Sequence, residues 1–169
     1  SQPIGASIVS DEVAEVIGNC EFNHGYTYSS HPVAAAVALE NLNIMQEENI
    51  VDHVKNDVGP YLKEKWQALV DHPMVGEANI VGMMGSIALT PDKASRAAFA
   101  SDPGTVGYIC RERCFANKLV MRHVGDRMII SPPLVMTRAE VDILMERAVK
   151  SLDEGMARIK DEGLWTAAS

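Results

Sequence analysis

Two stretches of this chain hold side chains that could do chemistry. The first is Phe22-Asn23-His24-Gly25-Tyr26-Thr27-Tyr28-Ser29-Ser30-His31-Pro32, where hydroxyl groups crowd in front of a run patterned for a helix. The first turn of a helix has unpartnered amides and the positive end of the dipole, so an anion is favoured there. A threonine hydroxyl beside such amides makes a sensible phosphate contact. The same position is also where serine and threonine act as plain helix caps. The second stretch is Leu119-Val120-Met121-Arg122, a strand whose other members are apolar, ahead of the Gly125-Asp126 turn. A planar guanidinium forks onto a carboxylate through two hydrogen bonds. An arginine on a hairpin also commonly pairs with a local acid at the surface. Arg127 suits carboxylate recognition less well, because the sequence puts it in the turn.

Other reactive residue types read as structural. Cys110 and Cys114 are four apart and share a helix face, but two thiols without a third ligand make a poor metal site and suit core packing. His24 and His31 bracket the first stretch, where hydrogen bonding can hold a loop. The 9 methionines are dispersed without short clusters, which fits an adaptable core rather than a copper site. No P-loop, G-x-G-x-x-G, H-E-x-x-H or zinc-ribbon spacing occurs.

The positioning elements follow from periodicity. Ile4 to Val9 is apolar and reads as a buried strand, which needs neighbours on both sides. Ser10 caps a short helix to Ile17 that ends at Gly18-Asn19. A helix should start at His31-Pro32, with the proline in the first turn where its missing amide costs nothing. Gly59-Pro60 should break the next helix, which resumes at Tyr61 and runs to Asp71-His72-Pro73. Ile80 to Leu89 reads as extended, with glycines at close backbone approaches. Thr90-Pro91-Asp92-Lys93 is a turn, and Asp102-Pro103 opens a further helix bearing Val106, Ile109, Cys110 and Cys114. Gly125-Asp126 joins two strands as a hairpin. Thr137 and Glu140 form a capping box ahead of a helix with Val141, Leu144, Ala148, Leu152 and Ile159 on one face. Strand, helix, hairpin and helix from Val75 onward give an α+β sandwich with helices on one antiparallel sheet.

Composition narrows the class. At 169 residues, 47% hydrophobic and 22% charged, the chain can bury one good core, or one small domain plus an attached fragment, and its composition argues against disorder. A net charge of −8 without a basic block argues against nucleic acid, and no apolar run nears the roughly 20 residues of a bilayer span. Three cysteines without framework spacing fit reduced thiols in the cytoplasm.

The first stretch resembles the F-x-H-G-F/Y-T-Y/F-S-G-H-P segment of the class III aminotransferases, which use pyridoxal 5′-phosphate. Arg122 to Leu134 resembles their R-x-x-G-D-x-x-x-x-S/A-P-P-L block, in register. The resemblance runs from Ile4 to about Ile159. It implies the C-terminal segment of a fold-type I enzyme, with residues 1–45 a remnant of the large cofactor domain and 46–169 the small α+β domain. It implies that Thr27, with Tyr26 beside it, contacts the cofactor phosphate of the neighbouring subunit in a homodimer, and that Arg122 binds the substrate carboxylate. The parent enzyme would move an amino group from an ω-amino acid or amine to a keto acid such as pyruvate. None of Lys55, Lys63, Lys65, Lys93, Lys118, Lys150 and Lys160 sits in the context of the Schiff-base lysine, so the chain alone is expected to be inactive. The family has glycine where this chain has Ser30, which matters if that position needs positive φ. A stand-alone α+β module that binds anions or mediates dimerisation is the alternative.

Overall fold

The computed structural model describes residues 3–168, which cluster into two compact units, Ser1–Asn49 and Ile50–Ser169.

In the first unit, the Ser10 hydroxyl accepts from the Val13 amide at 3.5 Å and opens α1 (Asp11–Gly18), as its capping position predicts. Asp11 and Glu12 in the first turn complement the helix dipole. Helix α2 (Pro32–Glu47) starts on Pro32, with His31 extended before it. An apolar pattern on every side is that of a helix made for burial, yet within this unit only Ala34 of α2 is buried. Leu39 and Leu42 stay exposed. The expected strand at Ile4–Val9 is overturned: the segment is irregular and Ile8 is 97% exposed. A strand exists only through ladder partners, and among the described residues no strand lies beside this one.

The second unit is a four-stranded antiparallel sheet with helices against one face. It begins with α3 (Ile50–His53), a π-helical turn (Val54–Val58), α4 (Gly59–Gln67) and a 3₁₀ turn (Ala68–Asp71). The expected break at Gly59-Pro60 does not occur. A proline in an α-helix collides with the carbonyl four residues back. Here the Gly59 amide instead donates to Val54, five residues back, so the helical path widens into a π turn just before the proline. Gly59 is required for this, because a Cβ there would run into the Val54 carbonyl oxygen.

Strands β1 (Val75–Val81) and β2 (Met84–Leu89) form a hairpin through Gly82-Met83. The sequence reading of one extended Ile80–Leu89 is corrected by that turn, where Gly82 has φ 56°. Helix α5 (Thr105–Ala116) starts three residues after Asp102, behind Gly104. Strands β3 (Arg122–Val124) and β4 (Arg127–Ile130) flank Gly125-Asp126 as the hairpin signal predicts. Sheet order is β1-β2-β4-β3. Helix α6 (Arg138–Asp161) opens with the predicted capping box: Glu140 accepts from the Thr137 amide at 2.8 Å, and Thr137 accepts from the Glu140 amide at 3.3 Å.

The core lies between the sheet and these helices. Trp66 is fully buried, and its indole N–H is shared by the carbonyls of Asn79 (3.1 Å) and Ser86 (3.3 Å), pinning α4 to β1 and β2. Cys110 and Cys114 are buried in α5 against α6, and burial pushes both thiols up from their ordinary pKa. Among the described residues no helix is long and apolar enough to cross a membrane.

Two stability predictions follow from these contacts. Gly59→Ala should lower the unfolding free energy by about 1–3 kcal/mol, read by urea denaturation, because the π turn cannot admit a methyl group. His72 supplies the second. Its Nδ1 accepts from the Met74 amide at 3.2 Å and its Nε2 faces Asp153 at 3.3 Å, so the ring is held neutral. Burial lowers its pKa from 6.5, with Asp153 opposing. A depressed histidine pKa makes the unfolded chain bind more protons, so its contribution is present above pH ~6.5 and lost as pH falls. The melting temperature should drop between pH 7 and 5, and His72→Gln should flatten that drop. An unchanged slope in the variant would remove His72 from the account.

Candidate functional site

The first stretch folds as a closed turn. The Ser29 amide donates to the Tyr26 carbonyl at 2.9 Å, and the Ser29 hydroxyl accepts from the Tyr26 amide at 3.2 Å. Phe22, His24 and Tyr26 alternate along the approach: the Phe22 and His24 rings lie tilted with centroids 5.4 Å apart, and His24 meets Tyr26 edge to face at 5.0 Å. The His24 amide also donates to the Phe22 carbonyl at 2.8 Å, a tight turn that brings the first two rings together. Thr27 is left at the tip of the turn, exposed. Among the described residues neither its hydroxyl nor that of Tyr26 has a hydrogen-bond partner in the chain.

Ser30 adopts φ 58°, the left-handed conformation that swings the chain into α2. A non-glycine residue there costs roughly 1 kcal/mol, which gives a physical reason for glycine at this position in the resembled family. The residue at the cap position of α2 is His31, whose side chain makes no capping bond. The hydroxyls before α2 therefore do not serve it as caps. A hollow of about 290 Å³ lies between Tyr26, Tyr28, Ser30, His31 and Ala34.

Arg122 opens β3 in the second unit, exposed and, among the described residues, without an ion pair. Register explains its placement. Met128 and Ile130 are buried, so Ile129 between them faces away from the core. Arg122 is the cross-strand partner of Ile129, which pairs with Ser86, which pairs with Asn79. The four make one row across the sheet face opposite the helices, where a shallow hollow of about 390 Å³ includes Asn79, Ser86 and Ile129. Arg127 is the first residue of β4 rather than part of the turn, and its guanidinium lies 3.1 Å from Glu77. Asn79 and Arg127 hold the Glu77 carboxyl below its usual range. The ordinary surface pairing considered for Arg122 thus belongs to Arg127.

Sequence reasoning had found Arg122 but not the row it stands in, because pairing between β4 and β2 leaves no local signal. It also passed over Asp126 as a turn residue. Thr27 and Tyr26 fall in the first unit and Arg122 in the second. Among the described residues no group of three or more His, Cys, Asp or Glu gathers as metal ligands would.

Class III aminotransferases depend on pyridoxal phosphate, and the residues present fit part of that group. Free hydroxyls before a helix start suit a phosphate, and an unpaired guanidinium suits a substrate carboxylate. A lysine at the cofactor's covalent site needs desolvation to lower its pKa. The lysines here belong to the second unit, and the least exposed, Lys65, is pushed up by Asp142 at 3.0 Å.

The aminotransferase class-III family profile matches residues 2–152. The putrescine–pyruvate aminotransferase of Pseudomonas aeruginosa is 52% identical over 158 residues, which is 93% of this chain and 34% of that protein. Gamma-aminobutyrate transaminase 1, mitochondrial, of Oryza sativa subsp. indica is 39% identical over 95% of this chain and 32% of its own length. The ω-transaminase of Pseudomonas jessenii in complex with PMP superposes with a TM-score of 0.75 at 34% identity, covering 88% of this chain and 32% of that structure. The chain spans about a third of the length of the curated relatives it matches. The motif around Thr27, the arginine hairpin and these matches agree: the chain belongs to the class III aminotransferases.

Proposed function

We propose that this chain is the C-terminal portion of a transaminase that moves an amino group from an amine or ω-amino acid to a keto acid such as pyruvate. The observation that carries the reading is the pair of unsatisfied donors at the matching motif positions, Thr27 before α2 and Arg122 on the open sheet face. The parent is read as a cytoplasmic homodimer with shared active sites. Residues 1–45 belong to its large domain and 46–169 to its small one.

Pyridoxal phosphate, when bound, supplies the electron sink and carries the amino group between the two half-reactions. Thr27 would donate its hydroxyl to the cofactor phosphate of the neighbouring subunit, with Tyr26 beside it. Arg122 forks onto the carboxylate of the keto acid and so fixes which end of the substrate enters first. The lysine that carries the cofactor comes from outside this chain, and the chain alone is inactive.

A splice tests this. Replacing the matching third of the Pseudomonas aeruginosa putrescine–pyruvate aminotransferase with this chain should give putrescine-dependent alanine formation, while the 169-residue chain alone gives none. In the splice, Thr27→Ala should weaken pyridoxal phosphate binding about tenfold, the loss of one hydrogen bond to a charged group. Arg122→Ala should raise KM for pyruvate roughly 10- to 100-fold. It should leave KM for putrescine nearly unchanged, because a diamine has no carboxylate. Equal effects on both substrates would remove Arg122 from carboxylate recognition. Transamination by the isolated chain would overturn the assignment of the lysine elsewhere.

A further inference from the structure

Arg122 stands at a weak place in the fold. Strand β3 has three residues, lies at the sheet edge and pairs only with β4. A guanidinium recognises a carboxylate only when its fork is correctly aimed. Something must therefore hold the β3–β4 hairpin still.

The turn of that hairpin is fastened to the start of α5. Helix α5 begins behind Gly104, which has no side chain to cap it. Its first-turn amides must find acceptors elsewhere, and the carboxylate of Asp126, on the hairpin turn, accepts from the Gly107 amide at 2.9 Å. That is the bond an Asp at the cap position would make, supplied here from 19 residues away. Its negative charge also lies at the positive end of the helix dipole. The Asp126 carbonyl meanwhile accepts from the Leu89 amide at 2.9 Å, tying the turn to the end of β2. Gly107 has no room for a Cβ, because the Gly125 carbonyl oxygen occupies that space. Two residues before that turn, the His123 ring meets Tyr108 of α5 edge-on, centroids 6.1 Å apart.

We infer that Asp126 is a positioning residue for Arg122: its carboxylate, bound to the Gly107 amide of α5, locks the β3–β4 hairpin and so aims the arginine. The inference rests on the reading of Arg122 as the carboxylate clamp. It gives Gly125-Asp126 a function beyond turn formation, and it accounts for Gly107 facing that turn.

Nitrogen-15 NMR of the 169-residue chain, with pyruvate as probe, tests both levels separately. In the unaltered chain the Gly107 amide should exchange slowly, Tyr108 and His123 should show ring-to-ring NOEs, and pyruvate should titrate the Arg122 Nε–H signal. Asp126→Ala should abolish the Gly107 protection and the NOEs and weaken the Arg122 titration roughly tenfold. Asp126→Asn keeps an acceptor oxygen and should restore most of each. Gly107→Ala, which retains Asp126 but displaces the Gly125 carbonyl, should reproduce the loss. Should Asp126→Ala fail to fold, Asp126→Ser, too short to reach the amide, replaces it. If Asp126→Ala frees the Gly107 amide yet leaves the NOEs and the titration intact, Asp126 is a helix cap and the inference falls. If Arg122 ignores pyruvate in the unaltered chain, the clamp reading falls instead. The NOEs across the same variants then decide whether Asp126 holds the hairpin.

Discussion

Strict alternation of side chains along an antiparallel sheet is the constraint on which the second unit depends. Met128 and Ile130 must reach the core, so Ile129 cannot, and its cross-strand partner Arg122 is carried to the same outer face. A one-residue slip of β3 on β4 would turn the arginine into the core, where an unpaired charge is prohibitively costly. Hydrophobic burial on one face thus fixes the address of the cation on the other. The same alternation puts Ser86 and Asn79 in its row.

The helices supply what alternation alone cannot, which is a stationary frame. Trp66 bonds to β1 and β2 together and so fixes α4 across the hairpin. The π turn before Pro60 lets one continuous helical path approach the sheet where a broken helix would have left free carbonyls. At the far end, Asn117 of the turn after α5 reaches Ser151 at 3.2 Å and Glu154 at 2.9 Å on α6, satisfying polar groups between two apolar faces. Each tie joins elements distant in sequence, so the sheet face bearing Arg122 is held by its far side.

Much of this was legible in the residues. Thr137 and Glu140 announced α6, Gly125-Asp126 announced the hairpin, and Pro32 announced the start of α2, because each is a local stereochemical signal. Ile4–Val9 misled, because a buried strand is defined by its neighbours, and apolar composition alone does not provide them. Gly59-Pro60 misled for the opposite reason: the breaker is real, but a wider turn absorbs it. The bond from Asp126 to Gly107 was invisible, since nothing in the sequence says that a hairpin turn will meet a particular helix amide. The Thr27 turn lay between these cases. Its composition pointed to an anion, while its closure by Ser29 and the left-handed Ser30 needed coordinates.

Charge separates the two recognition elements further. The first unit, through Asn49, has carboxylates from Asp11 to Glu48 and neither lysine nor arginine. A phosphate held by this unit alone would meet only neutral donors in a negative field, and neutral hydrogen bonds are the weaker kind. Thr27 is therefore suited only to complete an anion site whose cations come from elsewhere. Arg122 works under the opposite condition. It brings its own charge, its neighbour Arg127 is already taken by Glu77, and its fork is left open. A hydroxyl that needs a partner's charge and a guanidinium that needs only a carboxylate are complementary parts.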